Sequence, residues 1–599
     1  MLSIATLLSA VVLGTLLVSV AIVKRLQERE YGHGGRWQEL ARSRFVLGIP
    51  WGTLVVIAFV LAVYLFVQDG ISDFSDPVTL PYRSWSYFYP LGIATASFSH
   101  AGPGHLISNL VGTLVAAPIA EFAWGHYPQG RDADDTADPP WRRPWIRALV
   151  VFPLVVIGVG LLTSLFALGP VIGFSGVVFA FAAFALVHYP IVTLIATLGV
   201  QSALYTVYSA LQNPIHVYVA EPAPPTPPSW AGIAIQGHAL GFFIGLVLGI
   251  ALIEWRNNRP DPFHLWLALV LYAISSGLWQ IYWFGEGNSF YLFQGPGVAL
   301  VVALALVITL ALYASERSLF PKRVERFLVR LRGSEWAVDR PLELARSSSP
   351  DFGRIHEIAG GYRTERTTNL SSYSRRGGAL LVVLLVLAAL VGMAIPVNVV
   401  AVDASPQSPE SAIEIEDYTI EYAEDVENEL VSDFGIDQLG EGLEASGVIV
   451  ASEQRNLWIE AVTEQHLAYT GNETVTVGGP GWRSSVVVER AGWEPVGNEP
   501  VYQIRMAERG EDQQVVYESS EVQADVLVEN RTITVLSEDG EFRLEVASAE
   551  TGIAETAAIP ETDESTSAAG VQFEHEDGTI YAMTDETVVA VASEETYDG

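Results

Sequence analysis

The chain contains no cysteine, which removes disulfides, thiol catalysis and Cys-ligated zinc from consideration. Lysine is almost missing as well: Lys24 and Lys322 are the only two, and the other basic residues are arginine. Positive charge of either kind is scarce in the last third. Of 68 carboxylates and 33 basic residues in the chain, 45 and 7 respectively lie after Val400, so the net charge of −35 belongs to the tail and the preceding part is slightly positive. Apolar residues are uneven in the opposite sense. The part before Val400 consists of long apolar blocks with short polar connections, whereas the part after it alternates short β-rich runs with carboxylates.

A bilayer core is about 30 Å thick and takes roughly 20 apolar residues of helix to cross. Ten such stretches run near residues 2–23, 46–67, 104–124, 146–168, 172–189, 190–211, 231–253, 263–284, 293–314 and 378–399. Cytoplasmic loops retain arginine and lysine, which puts the loop from Lys24 to Arg44 inside, together with Arg142, Arg143 and Arg147, the turn at Arg256 to Arg259, and the basic segment 317–376. The alternate loops, 69–100, 212–230 and 285–291, carry almost no positive charge. Ten spans satisfy this pattern throughout, with the N-terminus and the acidic tail outside. In the first stretch the positive charges follow the apolar run and no small-residue cleavage site is evident, so it is expected to be a retained helix and not a signal peptide. The organisation expected is an extra helix and cytoplasmic loop at 1–45, a six-helix core at 46–253, two more helices at 254–316, a basic cytoplasmic segment at 317–377, a last helix at 378–399 and an acidic extracellular β-rich domain at 400–599.

Within the tail, 447–451, 474–477, 485–488 and 531–536 read as strands parted by Gly, Asn and Asp turns, and a sandwich-like β domain is the expected class. The stretch 560–570, rich in Thr, Ser, Glu and Ala, reads as a flexible interruption. Asn472 and Asn530 stand in glycosylation-type sequons. The Lys-poor, Asp/Glu-rich composition resembles that of salt-in halophiles, archaea among them, in which carboxylates hold water where salt screens charge. A solvated acidic face is a plainer reading of it than a dedicated cation-binding tail.

Polar groups inside hydrocarbon are costly, so each one in a spanning stretch is a functional candidate to be weighed against simple helix gluing. Three segments carry such groups. In the third stretch, His105 and Asn109 are four residues apart, share a helix face and can donate hydrogen bonds to one point. At the start of the fifth, Gly173-Phe-Ser175-Gly176 sets a hydroxyl between two glycines, which lets a neighbouring helix come close; the soluble-hydrolase elbow would need glycine where Val177 stands. In the seventh, His238 adjoins Gly237, Gly241, Gly245 and Gly249, a glycine every four residues along one helix side. Any of these alone is more often a structural contact than a site. Their depths agree, however: in the topology above, His105, Ser175 and His238 all lie roughly 5–12 Å below the outer surface, where water can reach.

Together these segments resemble the rhomboid intramembrane proteases, whose signatures are His-x-x-x-Asn, Gly-x-Ser-Gly and His-x-x-Gly-x-x-x-Gly on successive core helices in that order. The resemblance covers about residues 46–253 and implies a polytopic α-helical fold in which Ser175 is the nucleophile and His238 the general base of a Ser-His dyad. It implies further that His105 and Asn109 stabilise the oxyanion with the Ser175 backbone N–H. Phe179 falls where the family commonly sets an aromatic ring against the catalytic histidine. Glu121 matches a family glutamate with a structural role, and His100 resembles a further loop histidine. The Trp-Arg pair of many members' first outer loop is missing, Tyr82-Arg83-Ser84-Trp85 being at best a displaced relative.

The function expected is that of an intramembrane serine endopeptidase acting on transmembrane protein substrates in a lipid bilayer, without cofactor, metal or nucleic-acid partner. A non-catalytic rhomboid-like binder of membrane clients, or an envelope-associated transporter or anchoring protein, is the alternative.

Overall fold

The structure is a computed structural model that describes residues 4–31, 36–127, 140–215, 228–284, 289–314, 374–399, 411–427, 444–550, 552–562, 564–585 and 587–597. Each apolar stretch falls on one helix: α1 Ile4–Tyr31, α2 Trp51–Val67, α3 Pro103–Trp124, α4 Pro144–Leu165, α5 Ser175–His188, α6 Pro190–Gln212, α7 Ile235–Arg256, α8 Pro262–Ser275, α9 Gln294–Tyr313 and α10 Arg375–Val399. Among the described residues, seven of these are long and apolar enough to cross a membrane, while α2, α5 and α8 are shorter. Proline opens α3, α4, α6 and α8, where its missing N–H costs nothing and its fixed φ suits a first turn. Most of the basic segment expected at 317–377 lies outside the described residues.

The shortness of α5 follows from its place. It is the central helix, and Val177, Ala182, Ala183, Ala185, Leu186 and Val187 are at most 1 % exposed because α3, α4 and α7 surround it. Its 14 residues cover about 21 Å at helical rise, and the extended segment before Ser175 completes the path. At the opposite end of the bundle, cations meet the carbonyl terminus of α3: Arg256 donates to the Ala123 and Trp124 carbonyls and Arg147 to that of Gly125, an arrangement the helix dipole favours.

Glu121, near the end of α3, holds α2 in place. Its carboxylate accepts from Gly52 N, Thr53 N and Thr53 Oγ1 at 2.7–2.9 Å and pairs with His126 at 2.7 Å, all of them buried. A buried carboxylate with four donors is satisfied, whereas one without them would cost several kcal/mol, on the order of 3 or more.

Between α8 and α9 lies a two-stranded antiparallel pair, β1 Tyr282–Phe284 and β2 Phe290–Leu292, and the tail is β-rich, in three antiparallel sheets. The first has order β3 Ile413–Ile415, β4 Tyr418–Glu427, β5 Glu444–Ser452 and β6 Leu457–Thr463. The largest is eight-stranded and runs β10 Gln514–Glu518, β9 Val501–Glu508, β8 Trp482–Pro495, β18 Val588–Glu594, β17 Thr579–Met583, β16 Val571–Glu576, β15 Ser565–Ala568, with β7 Asn472–Gly479 on β8. The third is β11 Val522–Val528, β12 Arg531–Glu538, β13 Glu541–Ser548 and β14 Ala554–Ala558. The four expected runs lie within β5, β7, β8 and β12.

The sandwich-like packing expected occurs twice along one long sheet. Strands β3–β6 cover the β7–β10 half, burying Tyr418, Ile420, Val448, Val477, Val488 and Ile504; strands β11–β13 cover the other half over Val535, Leu544, Phe573 and Ile580. Strand β8 is long enough, at 14 residues, to serve both: Trp482 to Glu489 pair with β7, Trp493 to Pro495 with β18. The stretch 560–570 is not a simple interruption, because Ser565–Ala568 forms β15 against β16. Ala569 and Gly570 both take positive φ, 48° and 77°, closing a two-residue hairpin that the Ser/Thr composition conceals.

Candidate active site

Between α2 and α3 the chain folds into a buried loop, held from below by Gln68. The Gln68 amide donates to the carbonyls of Val78 and His100, and its oxygen accepts from His100 N–H, at 2.7–3.0 Å. His100 is thus part of the loop's frame, its ring 5.2 Å from that of His105. The segment 82–85 lies deep in the loop: Tyr82 is 0 % and Trp85 4 % exposed. Ser84 forms a two-bond bridge with Val171, its N–H donating at 3.0 Å and its carbonyl accepting at 3.2 Å. Gly173 N–H then donates to the Ala96 carbonyl at 2.9 Å.

These contacts deliver the chain to Ser175, the first residue of α5, whose N–H, at a helix start, has no partner within its own helix. Gly173 cannot be another residue. Its φ is 130°, and a Cβ there would lie 2.5 Å from His105 Cε1, 2.6 Å from His105 Nε2 and 3.7 Å from Asn109 Nδ2. The same numbers show that His105 and Asn109, from the first two turns of α3, face the serine loop together, as their spacing predicts. Asn109 is 5 % exposed, and its Nδ2 has no hydrogen-bond partner among the described residues.

His238 stands in the first turn of α7 and its Nε2 lies 2.8 Å from Ser175 Oγ. Phe179, one turn into α5, stacks on the imidazole with ring centroids 4.5 Å apart and planes at 20°, so the ring is held flat against an apolar surface. The approach of α7 to α5 depends on glycine: a Cβ on Gly241 would fall 1.9 Å from the Gly176 carbonyl oxygen, on Gly245 2.1 Å from that of Ala180, and on Gly249 2.3 Å from Val187 Cγ2. Gly237 departs from this pattern, since a Cβ there would meet only Ala234, at 3.9 Å. Its own carbonyl instead faces Gly176, 3.3 Å from where a Cβ would sit.

A cavity of about 30 Å³, bounded by Ser97, Thr163, Gly173, Ser175 and His238 among others, is large enough for one or two waters. Beside it Ser97, Thr163 and Ser164 join hydroxyls at 2.7–2.9 Å. Sequence reasoning missed this hydroxyl cluster, Gln68 and His126; a polar residue directly after an apolar run was the one signal for Gln68. It expected α10 as a helix but not its contacts with the core: Asn398 donates to the Ala167 carbonyl at 3.1 Å, and the Leu390 carbonyl accepts from Gln236 at 2.8 Å.

Of the residues singled out from the sequence, Ser175, His238, Phe179, His105, Asn109, Gly173, Gly176 and Gly241 cluster at one end of the bundle, and Glu121 lies apart in its own network. A nucleophile type in hydrogen-bond reach of a base type, with spare donors across a small polar hollow, is an arrangement fit for acyl transfer.

Compared with known proteins, residues 88–255 match the family model of the Rhomboid domain. That range begins in the loop before α3 and ends with α7, leaving α1, α2, α8–α10 and the β-rich region outside it. No curated protein and no solved structure matches.

Proposed function

With residues 88–255 forming a Rhomboid domain, we propose that this multi-pass membrane protein is an intramembrane serine endopeptidase that cuts transmembrane segments near their outer end. The single observation that carries the reading is the 2.8 Å hydrogen bond between Ser175 Oγ and His238 Nε2, made between two helices that come so close that a Cβ at Gly241 or Gly245 would strike the facing backbone.

In the proposed reaction His238 takes the hydroxyl proton as Ser175 Oγ adds to a peptide carbonyl. Negative charge then develops on the carbonyl oxygen, facing Asn109 Nδ2, the His105 ring and the Ser175 N–H; a single such donor is worth about 3–4 kcal/mol in soluble serine proteases. His238 returns the proton to the departing amine, leaving an acyl-enzyme that water hydrolyses by the same sequence. Phe179 keeps the imidazole in register throughout. A transmembrane helix hides its amides in internal hydrogen bonds, so the substrate unwinds locally, and small or helix-breaking residues near its outer end suit it. The arginine distribution supports an orientation with the serine, the N-terminus and the β-rich region outside. It also supports the division of the chain into a core at 46–253 with appended helices and tail.

The test is cleavage of a reporter helix co-reconstituted in liposomes by the wild type and by Ser175→Ala and His238→Ala. Loss of cleavage in both variants, with loss of fluorophosphonate labelling, is expected. Undiminished cleavage in Ser175→Ala removes the serine from the mechanism; binding of the reporter without cleavage by the wild type points to a membrane-client binder instead.

A further inference from the structure

The β-rich tail grips the loop that frames the serine. Arg455, 8 % exposed, donates from Nε and Nη2 to the two Asp417 oxygens at 2.6 and 2.7 Å, and from Nη1 to the Tyr89 hydroxyl at 2.8 Å. Its guanidinium lies over the rings of Tyr418 and Tyr89, 4.7 and 5.7 Å from their centroids. Asp417 is itself fixed by Ser452 Oγ at 2.8 Å. Two further contacts flank this one. Leu80 and Trp85 of the loop are buried in the β-region core with Tyr418, Val477 and Val486, and Asp76 accepts from Thr476 Oγ1 at 2.6 Å and from Arg483 at 2.8–3.0 Å.

Between the grip and the serine the path is short. Tyr89 ends the stretch that begins at Ser84, and the helix 90–95 that follows packs so closely that a Cβ on Gly92 would lie 2.1 Å from the Arg83 carbonyl oxygen. Ser84 bridges Val171, and Ala96 accepts from Gly173. Both ends of the 171–173 segment, which shapes the backbone entering Ser175 and leaves room for His105, are thus tied to a loop whose outer side is held by the tail.

We infer that Arg455 is a positioning residue for the reaction: through Tyr89 and the Ser84–Val171 bridge, the appended β region holds the 171–173 segment and so the oxyanion side of the Ser175 site. The inference rests on the proteolytic reading for its rate effect, but the mechanical coupling is measurable without any turnover. Loosening the loop displaces the donors from a developing charge while leaving the intramembrane binding surface alone, so the effect falls on kcat and not on KM.

Two variants test it in the full-length protein. Arg455→Ala removes both the Asp417 pair and the Tyr89 contact, and Tyr89→Phe removes only the hydroxyl on the loop side, leaving the Arg455–Asp417 pair intact. Amide hydrogen exchange in a Ser175→Ala background is expected to rise roughly 10-fold or more at Ser84 and Val171 in both, with Val488 and Ile504 of the β core still protected. In the active background kcat falls by about 10-fold in Arg455→Ala, and by less in Tyr89→Phe, with KM unchanged, and Arg455→Lys restores only part of it, because lysine lacks the bidentate fork. Unchanged exchange at Ser84 and Val171 in Tyr89→Phe overturns the coupling, including where Arg455→Ala unfolds the β region. Increased exchange with unchanged kcat overturns the catalytic half. A wild type that cleaves nothing removes the proteolytic reading, while the exchange data still decide the coupling.

Discussion

Replacing Gly241 by alanine adds one methyl group and should silence the site. The new carbon would sit 1.9 Å from the Gly176 carbonyl oxygen and 2.6 Å from its carbonyl carbon, where 3.0 Å is the least that real Cβ atoms tolerate. Both obstacles are backbone, so neither can swing aside and α7 must retreat from α5 by about 1 Å. His238 rides on the same stretch of helix, three residues earlier. Its 2.8 Å contact with Ser175 Oγ would open toward about 4 Å, beyond hydrogen-bond range. Overpacking of this kind costs about 1–3 kcal/mol of stability, which a folded membrane bundle survives. Misplacing reacting groups by 1 Å costs on the order of 10²-fold in rate, or about 2.7 kcal/mol of barrier. The assay is kcat on a reconstituted reporter helix together with the rate of serine labelling, after size-exclusion chromatography has shown an unchanged fold. Gly249→Ala is the control: its obstacle is the Val187 side-chain methyl at 2.3 Å, three turns from His238, and near-normal activity is expected. A Gly241→Ala protein with wild-type kcat would refute the claim that glycine-mediated helix approach sets the Ser175–His238 contact.

Asn109→Ala should lower kcat by roughly 10²–10³-fold with KM and thermal stability little changed, since its buried Nδ2 has no partner to lose among the described residues; a raised KM with kcat preserved would make Asn109 a substrate-binding group instead. Glu121→Ala strips the acceptor from Gly52, Thr53 and His126 and should cost about 3 kcal/mol or more, read as a fall in Tm in detergent. An unchanged Tm would show that the α2–α3 contact does not depend on that network. In the β region, burial first and the neighbouring Glu424 charge second hold the Glu464 carboxyl above its ordinary value. An acid raised in the folded state weakens folding at pH above its folded value and has no effect once both states are protonated. Glu464→Gln should therefore stabilise the β region to urea at pH 7 and lose that advantage below about pH 4; an equal gain at both pH values would exclude the charge as its cause.

Much of this molecule is determined by the sequence alone, because the relevant physics is local. Ten apolar blocks become ten helices since solvation by lipid acts on each block by its own composition and length. His105 and Asn109 share a face because helical period places them there, and the glycine ladder of α7 marks a close approach wherever that helix is put. Ser175 and His238 are recognisable as types at similar depth for the same reason. What a short window cannot carry is which surfaces meet. The Gly52 and Thr53 amides that satisfy Glu121, and Gln68 holding the loop together, are pairings over tens of residues. The hairpin at 565–576 was hidden by a polar composition that suits an edge strand as well as a coil. Arg455 reaches Tyr89 across 366 residues of chain. Only the tertiary structure decides that the acidic tail rests on the loop framing the serine, because that contact is chosen by complementary shape, burial and charge between elements the chain order keeps far apart.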